Sequence, residues 1–466
     1  MARLFESYNW QSVLLEECER LGGVYIKFIQ MLAVHETTKH LVEGARADLV
    51  YEHVPFEAID VNQELGRSVQ EFAWIDYQPF AGGSYGQVYR GQLRTGQDVV
   101  VKILRPSVRK TLRQDLRILN SIARITSWFT RRAIVDPLAI AQEFSRTTIA
   151  ETNYRREVQN AEWQRSFFER RNTLVIPRSY VQLSSDHILV QDYVGGISLA
   201  EAMLRQSNGE QIDRIVFDAT GSNVWSQLEE LGEEFLDSML YADYNMADPH
   251  PGNIRLLPND KVALIDFGMV SRAPSNKAAV VNVMGEYVKI YEDRFDAGSF
   301  ATSMLAFFDV ELHDALQIVA REFADNYIGS LEGFIDNYFK NLTNDGQIKH
   351  YLTERRVSRL FDQVINSGNK LGIRISKENV MQQRSMSMFA SMIRAIGEAH
   401  DGQVNFALMH GITSRVYRQA LRDGVDQPRQ PEMTDERAFE VAANWLTTIA
   451  ENDRHMYGFI TKGGFA

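Results

Sequence analysis

At 466 residues, with 44% apolar and 24% charged side chains, the chain is long enough for two to four lobes or domains with ordinary soluble cores. Its net charge of −11 excludes a general nucleic-acid binder, which needs a basic face, and its single cysteine, Cys18, excludes an internal disulfide. The opening MARLFESYNWQS reads neither as a signal nor as a transit peptide, and no window approaches the roughly 20 apolar residues of a membrane span, so a cytoplasmic chain, at most peripheral to a membrane, is expected.

In chain order, apolar residues at three- and four-residue spacing (Leu21, Val24, Phe28, Met31) predict an amphipathic helix over residues 10–35, with Lys27 and Gln30 on one of its faces. Short helices follow to residue 73. The pattern then changes to strands, expected at Trp74 to Phe80, Val88 to Leu93 and Asp98 to Leu104. The loop between the first two, Ala81 Gly82 Gly83 Ser84 Tyr85 Gly86 Gln87 Val88, suits a lid over phosphates, because backbone without Cβ approaches oxygen atoms closely. Against the kinase pattern G-x-G-x-x-G-x-V it offers Ala81, Gly83, Gly86 and Val88, which alone is a weak signal. Lys102 stands among apolar neighbours in VVVKIL, where an unpaired ammonium would be costly to desolvate, so it needs partners.

A basic helix is expected from Val108 to Arg132, with Trp128 and Phe129 at one end; it is read as a solvated face or as a surface for anionic lipid. Asp136 and Pro137 then open what reads as one long helix to about Arg171, carrying Glu151, Asn153, Tyr154, Glu157 and Asn160. Asn153 and Glu157, four apart, are expected on one face, and Glu157 is the candidate partner of Lys102. Strands around Ser179 to Leu183 and His187 to Tyr193 lead to Gly195 and Gly196, a hinge-like ending whose backbone groups could meet an adenine edge. Beyond residue 269 the chain reads as predominantly helical, with continuous apolar periodicity over residues 287–307.

The stretch YADYNMADPHPGNIRLLPNDKVALIDFGM, residues 241–269, organises the rest. Asp248 and Asn253 stand five apart in a loop opened by prolines and glycine, and the run Val262 to Ile265 delivers Asp266 of an Asp-Phe-Gly. Taken singly, these are a turn and a strand end. In this order they suit phosphoryl transfer, in which the protein supplies metal ions, an oriented hydroxyl and charge stabilisation. Asp248 would accept or orient the attacking hydroxyl, while Asn253 and Asp266 would hold magnesium.

With these residues in place, roughly residues 10–270 resemble the UbiB family, the AarF-domain atypical kinases associated with ubiquinone and other isoprenoid-quinone lipids. The resemblance implies an α+β, two-lobed protein-kinase-like fold. An N-terminal helical extension (1–73) would precede a small β-rich N-lobe with inserted helices (74–196) and a mostly helical C-lobe with the catalytic loop (197–466). It implies ATP and Mg2+ as cofactors, a small-molecule or lipid substrate and Lys102, Glu157, Asp248, Asn253 and Asp266 at the nucleotide and metal positions. The family's K-x-G-Q is similar to Lys27 Phe28 Ile29 Gln30, and its E-x-D to Glu151 Thr152 Asn153; these residues are expected to form a regulatory latch over the site. Ile29 for glycine, Asn153 for aspartate, and Gly82 and Gly83 for alanines are departures that predict a weaker latch and a more kinase-like loop. A small-molecule phosphotransferase of the aminoglycoside or choline kinase kind usually has a histidine where Met246 stands, and a non-catalytic pseudokinase scaffold has no need of all five residues. The sequence leaves the oligomeric state open.

Overall fold

A computed structural model describes residues 24–25, 27–28, 56–83, 85–129, 137–292, 294, 296–322, 373, 377–400, 404–427, 431 and 433–452. The chain forms two compact units. The first comprises residues 1–166, 176–194 and 266–269; the second comprises 167–175, 195–265 and 270–466.

In the first unit a short helix, α1 (Val61–Leu65), precedes the strands β1 (Phe72–Ile75), β2 (Ala81–Gly82), β3 (Gly86–Leu93) and β4 (Asp98–Leu104). Helices α2 (Pro106–Phe129), α3 (Pro137–Glu151) and α4 (Tyr154–Arg171) follow; β5 (Leu174–Val175) belongs to the second unit, and β6 (Ile188–Asp192) returns to the first. The sheet runs β1-β3-β4-β6, with β2 paired to β3, and every pair is antiparallel. Side-chain alternation gives the sheet two faces. Val99, Val101 and Ile103 of β4 pack with Tyr89, Leu93, Ile188 and Val190 on one side. On the other, Leu104 and Leu189 meet the apolar stripes of α2, α3 and α4, including Leu112, Leu116, Leu119, Phe144 and Val158. Lys102, between Val101 and Ile103 and paired in register with Val88 and Leu189, is therefore turned to the helical side.

Three expected elements are corrected. The strand from Trp74 to Phe80 stops at Ile75 and resumes as β2, because Pro79 cannot donate to a ladder. The segment Ser179 to Leu183 makes a single bridge at Ser179 and then a 3-10 turn, Val181–Leu183. The long helix expected to Arg171 is two helices: Thr152 Oγ1 bonds back to the Thr148 carbonyl, and Asn153 Oδ1 accepts from the Arg156 N–H, starting α4 afresh.

In the second unit, β7 (Ile197–Ser198), α5 (Leu199–Ser207), α6 (Ile212–Thr220) and α7 (Val224–Tyr241) precede β8 (Tyr244–Met246), β9 (Ile254–Leu256), β10 (Val262–Leu264) and β11 (Val270–Arg272). One sheet has the order β5-β10-β9-β7, in which β5 and β10 are parallel; β8 and β11 form a separate ribbon. Helices α8 (Lys277–Tyr291), α9 (Ala297–Phe308), α10 (Val310–Glu322), α11 (Lys377–Glu398), α12 (Val404–Arg422) and α13 (Asp435–Asn452) complete the described part. The periodicity over residues 287–307 is thus split, because Asp296 accepts from the Ser299 N–H and caps a new helix. α7 is the buried spine: Leu228, Leu231, Phe235 and Met239 are all in the core, and Phe235 stacks on Phe389 of α11 with ring centroids 5.0 Å apart.

At the start of this unit the Gly195 and Gly196 carbonyls are not left open, as the hinge reading expected: Arg255 of β9 donates to both, from Nε at 3.0 Å and from Nη2 at 2.6 Å. Gly196 has φ +73°, and a Cβ there would lie 2.1 Å from the Leu256 carbonyl oxygen, whereas a Cβ on Gly195 meets nothing within 4 Å. Gly196→Ala should therefore destabilise the protein by about 2 kcal/mol or more, while Gly195→Ala stays near neutral. Melting temperatures of the two variants, measured in parallel, check this; equal values would show that the approach of Leu256 is not a constraint.

Candidate active site

The site in the first unit is built around one buried cation. Lys102 Nζ lies 2.7 Å from Glu157 Oε1 and 3.1 Å from Asp266 Oδ2. The strand's alternation points Lys102 at the helices, and the new start of α4 at Asn153 places Glu157 in that helix's first turn, where the helix dipole also favours a carboxylate. Burial works against the ammonium, but Asp266 and Glu157 outweigh it and raise its pKa above the ordinary lysine value. The protein crowding Asp266 opposes its ionisation too, yet Lys102, the Gly268 N–H at 3.0 Å and Lys27 hold its carboxyl below the usual range. Glu157 is the exception: burial, resisted by Lys102, pushes its carboxyl up to about 7.

Two further groups shape this site. Asn160, one turn along α4 from Glu157, donates from Nδ2 to the Phe267 carbonyl at 2.7 Å and so fixes the Asp-Phe-Gly backbone. The Tyr154 ring fills the space beside Gly86, where a Cβ would lie 2.2 Å from the tyrosine hydroxyl. Gly86 is thus required for packing. Of the remaining loop residues, Ala81 and Gly82 lie in β2, and Val88 pairs with Lys102. Tyr85 is buried, with its hydroxyl 3.2 Å from Thr148 Oγ1. Ser84 lies outside the described residues.

Of the expected latch, Lys27 Nζ is 3.0 Å from Glu151 Oε2 and 5.5 Å from the centre of the Tyr85 ring. Phe28 packs edge-on against Phe144. Ile29 and Gln30 lie outside the described residues. The expectation that Asn153 shares a helix face with Glu157 does not hold, because Asn153 is exposed and spends its side-chain oxygen on capping α4.

In the second unit, Asp248 precedes the 3-10 turn Pro251–Asn253, which Asn253 closes. His250 Nδ1 accepts from the Gly252 N–H at 3.1 Å, Asn253 Nδ2 donates to the Asp248 carbonyl at 3.5 Å, and the Asn253 carbonyl accepts from the Ile265 N–H at 3.0 Å. The ribbon leading into the turn is anchored from α11: Gln382 exchanges amide hydrogen bonds with Asn245 and donates to the Arg272 carbonyl at 3.0 Å, and Ser385 donates to the Met246 carbonyl at 2.8 Å. These anchors, like Gln87 and Arg105 in the first unit, were missed from sequence. For Asn245 and Gln87 the available signal was a polar side chain in a strand, and for Gln382 and Ser385 a polar side chain on the apolar face of a helix.

Glu157 carries a pH signature. Its folded pKa, about 7, exceeds the free value of 4.5, so between these pH values the folded protein binds more protons at this group than the unfolded chain does. Its contribution to stability is complete below pH 4.5 and is lost as pH rises through 7. Glu157→Gln should therefore flatten the fall in urea stability from pH 5 to pH 7; an unchanged slope would mean that Glu157 stays ionised across the window.

Comparison with known proteins places the chain in a family. The ABC1 atypical kinase-like domain matches residues 52–293. The chloroplast protein Activity of BC1 Complex Kinase 3 of Arabidopsis thaliana is 28% identical over 239 residues, which are 51% of this chain and 32% of that protein. A probable protein kinase UbiB of Aliivibrio fischeri is 27% identical over 311 residues, 64% of this chain and 52% of that one. The chain thus spans about a third to a half of the length of these two relatives. The solved complex of Rv3197 with erythromycin from Mycobacterium tuberculosis has a TM-score of 0.42 and 22% identity, covering 63% of this chain and 72% of its own. Because the matched domain takes in more than half of the 466 residues, and with them Lys102, Glu157, Asp248, Asn253 and Asp266, the chain belongs to the ABC1 atypical kinase-like family.

Proposed function

We propose that the chain is an ATP-dependent atypical kinase or ATPase of the UbiB type, using Mg2+ and supporting ubiquinone or other isoprenoid-quinone lipid metabolism. The observation that carries the phosphoryl-transfer reading is the Lys102 ammonium held between Glu157 and Asp266. A cation kept charged in a mostly closed site is suited to phosphate oxygens, and Glu157 orients it. Asp266 is ionised and keeps 40% of its side chain open, as a metal ligand must. A carboxylate is the kind of hard oxygen donor magnesium takes. When bound, the metal would neutralise charge on the triphosphate. Asp248 would orient the acceptor hydroxyl. The quinone-lipid role rests on the family resemblance and on the UbiB name of relatives.

For the partner, the first unit offers a specific surface. Lys110, Arg113, Arg117 and Arg124 lie exposed on α2 within about 60° of the helix circumference, apart from the exposed Ile118 and Ile122, which stand further round the helix. A basic stripe on a chain of net charge −11 suits an anionic lipid surface through its charge. No described helix is long and apolar enough to cross a membrane.

Two measurements test these readings. At ATP and Mg2+ concentrations about 100 times the dissociation constant, the wild type should gain about 2.7 kcal/mol of stability, seen as a thermal shift that Asp266→Asn loses. Equal shifts in the two proteins would refute the role of Asp266. Flotation with phosphatidylserine vesicles should carry the wild type at low salt and fail at high salt, each basic residue contributing about 1 kcal/mol. The quadruple change Lys110→Glu, Arg113→Glu, Arg117→Glu, Arg124→Glu should abolish it. Binding indifferent to both salt and substitution would leave α2 a solvated face.

A further inference from the structure

Arg105, three residues beyond Lys102, is only 4% exposed, although it is a guanidinium at the end of a strand. What it does there is visible in its contacts. Its side chain forks onto one acceptor, the Gly83 carbonyl, from Nε at 3.2 Å and Nη2 at 3.1 Å. Its backbone N–H donates to the Tyr85 carbonyl at 2.8 Å. One residue therefore grips the glycine-rich loop at both Gly83 and Tyr85. Inside that grip the Gly83 N–H donates to the Gly86 carbonyl at 2.9 Å, closing a tight turn.

The surroundings keep the guanidinium in place. Phe56 lies against Gly82, whose Cβ would fall 2.9 Å from the ring and 3.5 Å from Arg105 Nη2. The Phe56–Glu57 segment is pinned in turn: Gln87, fully buried in β3, donates to the Glu57 carbonyl at 3.0 Å, and the Glu57 carboxylate accepts from Ser107 Oγ at 2.6 Å, at the start of α2.

A loop that cradles phosphate must present N–H groups and keep its carbonyl oxygens turned away, because a carbonyl facing a phosphate adds repulsion between partial and full negative charges. Ordinary loops leave that orientation to chance, and glycines at 82 and 83 widen the choice. We infer that Arg105 is a positioning residue for the nucleotide, holding the Gly83 and Tyr85 carbonyls inward so that the loop is preset for a triphosphate. This rests on the phosphoryl-transfer reading above and adds a residue to it. Arg105 acts through the loop and touches neither phosphate nor metal.

The test uses the full chain and Mg–ATP. Arg105→Met keeps the stem and removes the fork; Arg105→Lys keeps the charge and one donor. Titration calorimetry should give a dissociation constant for Mg–ATP raised about tenfold in Arg105→Met and less in Arg105→Lys, with turnover at saturation changed little. Amide exchange of residues 81–88 in the nucleotide-free protein should accelerate in the same order, an effect a merely structural role elsewhere in the unit would not localise there. If Arg105→Met does not fold, Arg105→Lys decides the matter alone. Wild-type affinity in a folded variant would overturn the inference and leave the phosphoryl-transfer reading intact; a wild type that binds no Mg–ATP would overturn both.

Discussion

The first unit depends on the cost of burying one ammonium. Lys102 in the closely packed interior would lose its hydration and its charge unless acids met it, and one acid on each of two segments does so. Each requirement has a local cause. The strand's two-residue period turns Lys102 to the helical face, the fresh helix start at Asn153 brings Glu157 level with it, and the Asn160 bond to Phe267 holds the segment that carries Asp266. Removing any one acid leaves a partly compensated charge rather than an empty space. Such a cluster tolerates loss worse than replacement as a whole.

That cluster was legible in the sequence because it violates a pattern. A lysine in VVVKIL demands partners, and Glu157 was the acid expected to supply one; the second, Asp266, was read as a metal ligand and not as a partner of Lys102, which lies 164 positions away. Asp248 and Asn253 stand out in the sequence for a different reason, the order and spacing of DPHPGN and the Asp-Phe-Gly that follows it. What escaped was set by hydrogen bonds that propensity does not encode. The break at Thr152 and Asn153 contains neither proline nor glycine; it arises because a threonine bonds backwards while an asparagine caps forwards. The hinge glycines looked open because Arg255, about 60 positions away, could not be seen to reach them.

Buried amides are the second theme. Gln87, Asn160 and Gln382 each fix a stretch of backbone with no regular partner of its own: the approach at Glu57, the Asp-Phe-Gly turn and the ribbon before Asp248. An amide offers both a donor and an acceptor without charge, so it pins loops beside the ionised groups without altering their balance. The two arginines that act similarly, Arg105 and Arg255, bind carbonyls rather than carboxylates, and so bring positive charge to the glycine segments. Each glycine stretch pairs backbone freedom with an outside clamp. Flexibility at Gly83 and Gly196 therefore does not mean mobility.

On the proposed phosphoryl-transfer reading, the charge balance around Lys102 would decide which form of a nucleotide the site takes. Lys27 and Lys102 face Glu151, Glu157 and Asp266, two cations against three carboxylates, with Glu157 reluctant to ionise. The site is thus near neutral to slightly negative before a ligand arrives. A free triphosphate, carrying about four negative charges, would meet Asp266 with Lys102 and, more weakly, Lys27 to offset it, at separations where unit charges interact by about 4 kcal/mol near a protein surface. A divalent ion would change the sign of that encounter, with Asp266 serving as its ligand instead of as a repelling group. The same acid that keeps Lys102 charged without nucleotide would then hold the metal with it. On the proposed phosphoryl-transfer reading, the free nucleotide and its magnesium complex would therefore be different ligands, and Asp266, more than the glycine-rich loop, would set the selectivity between them.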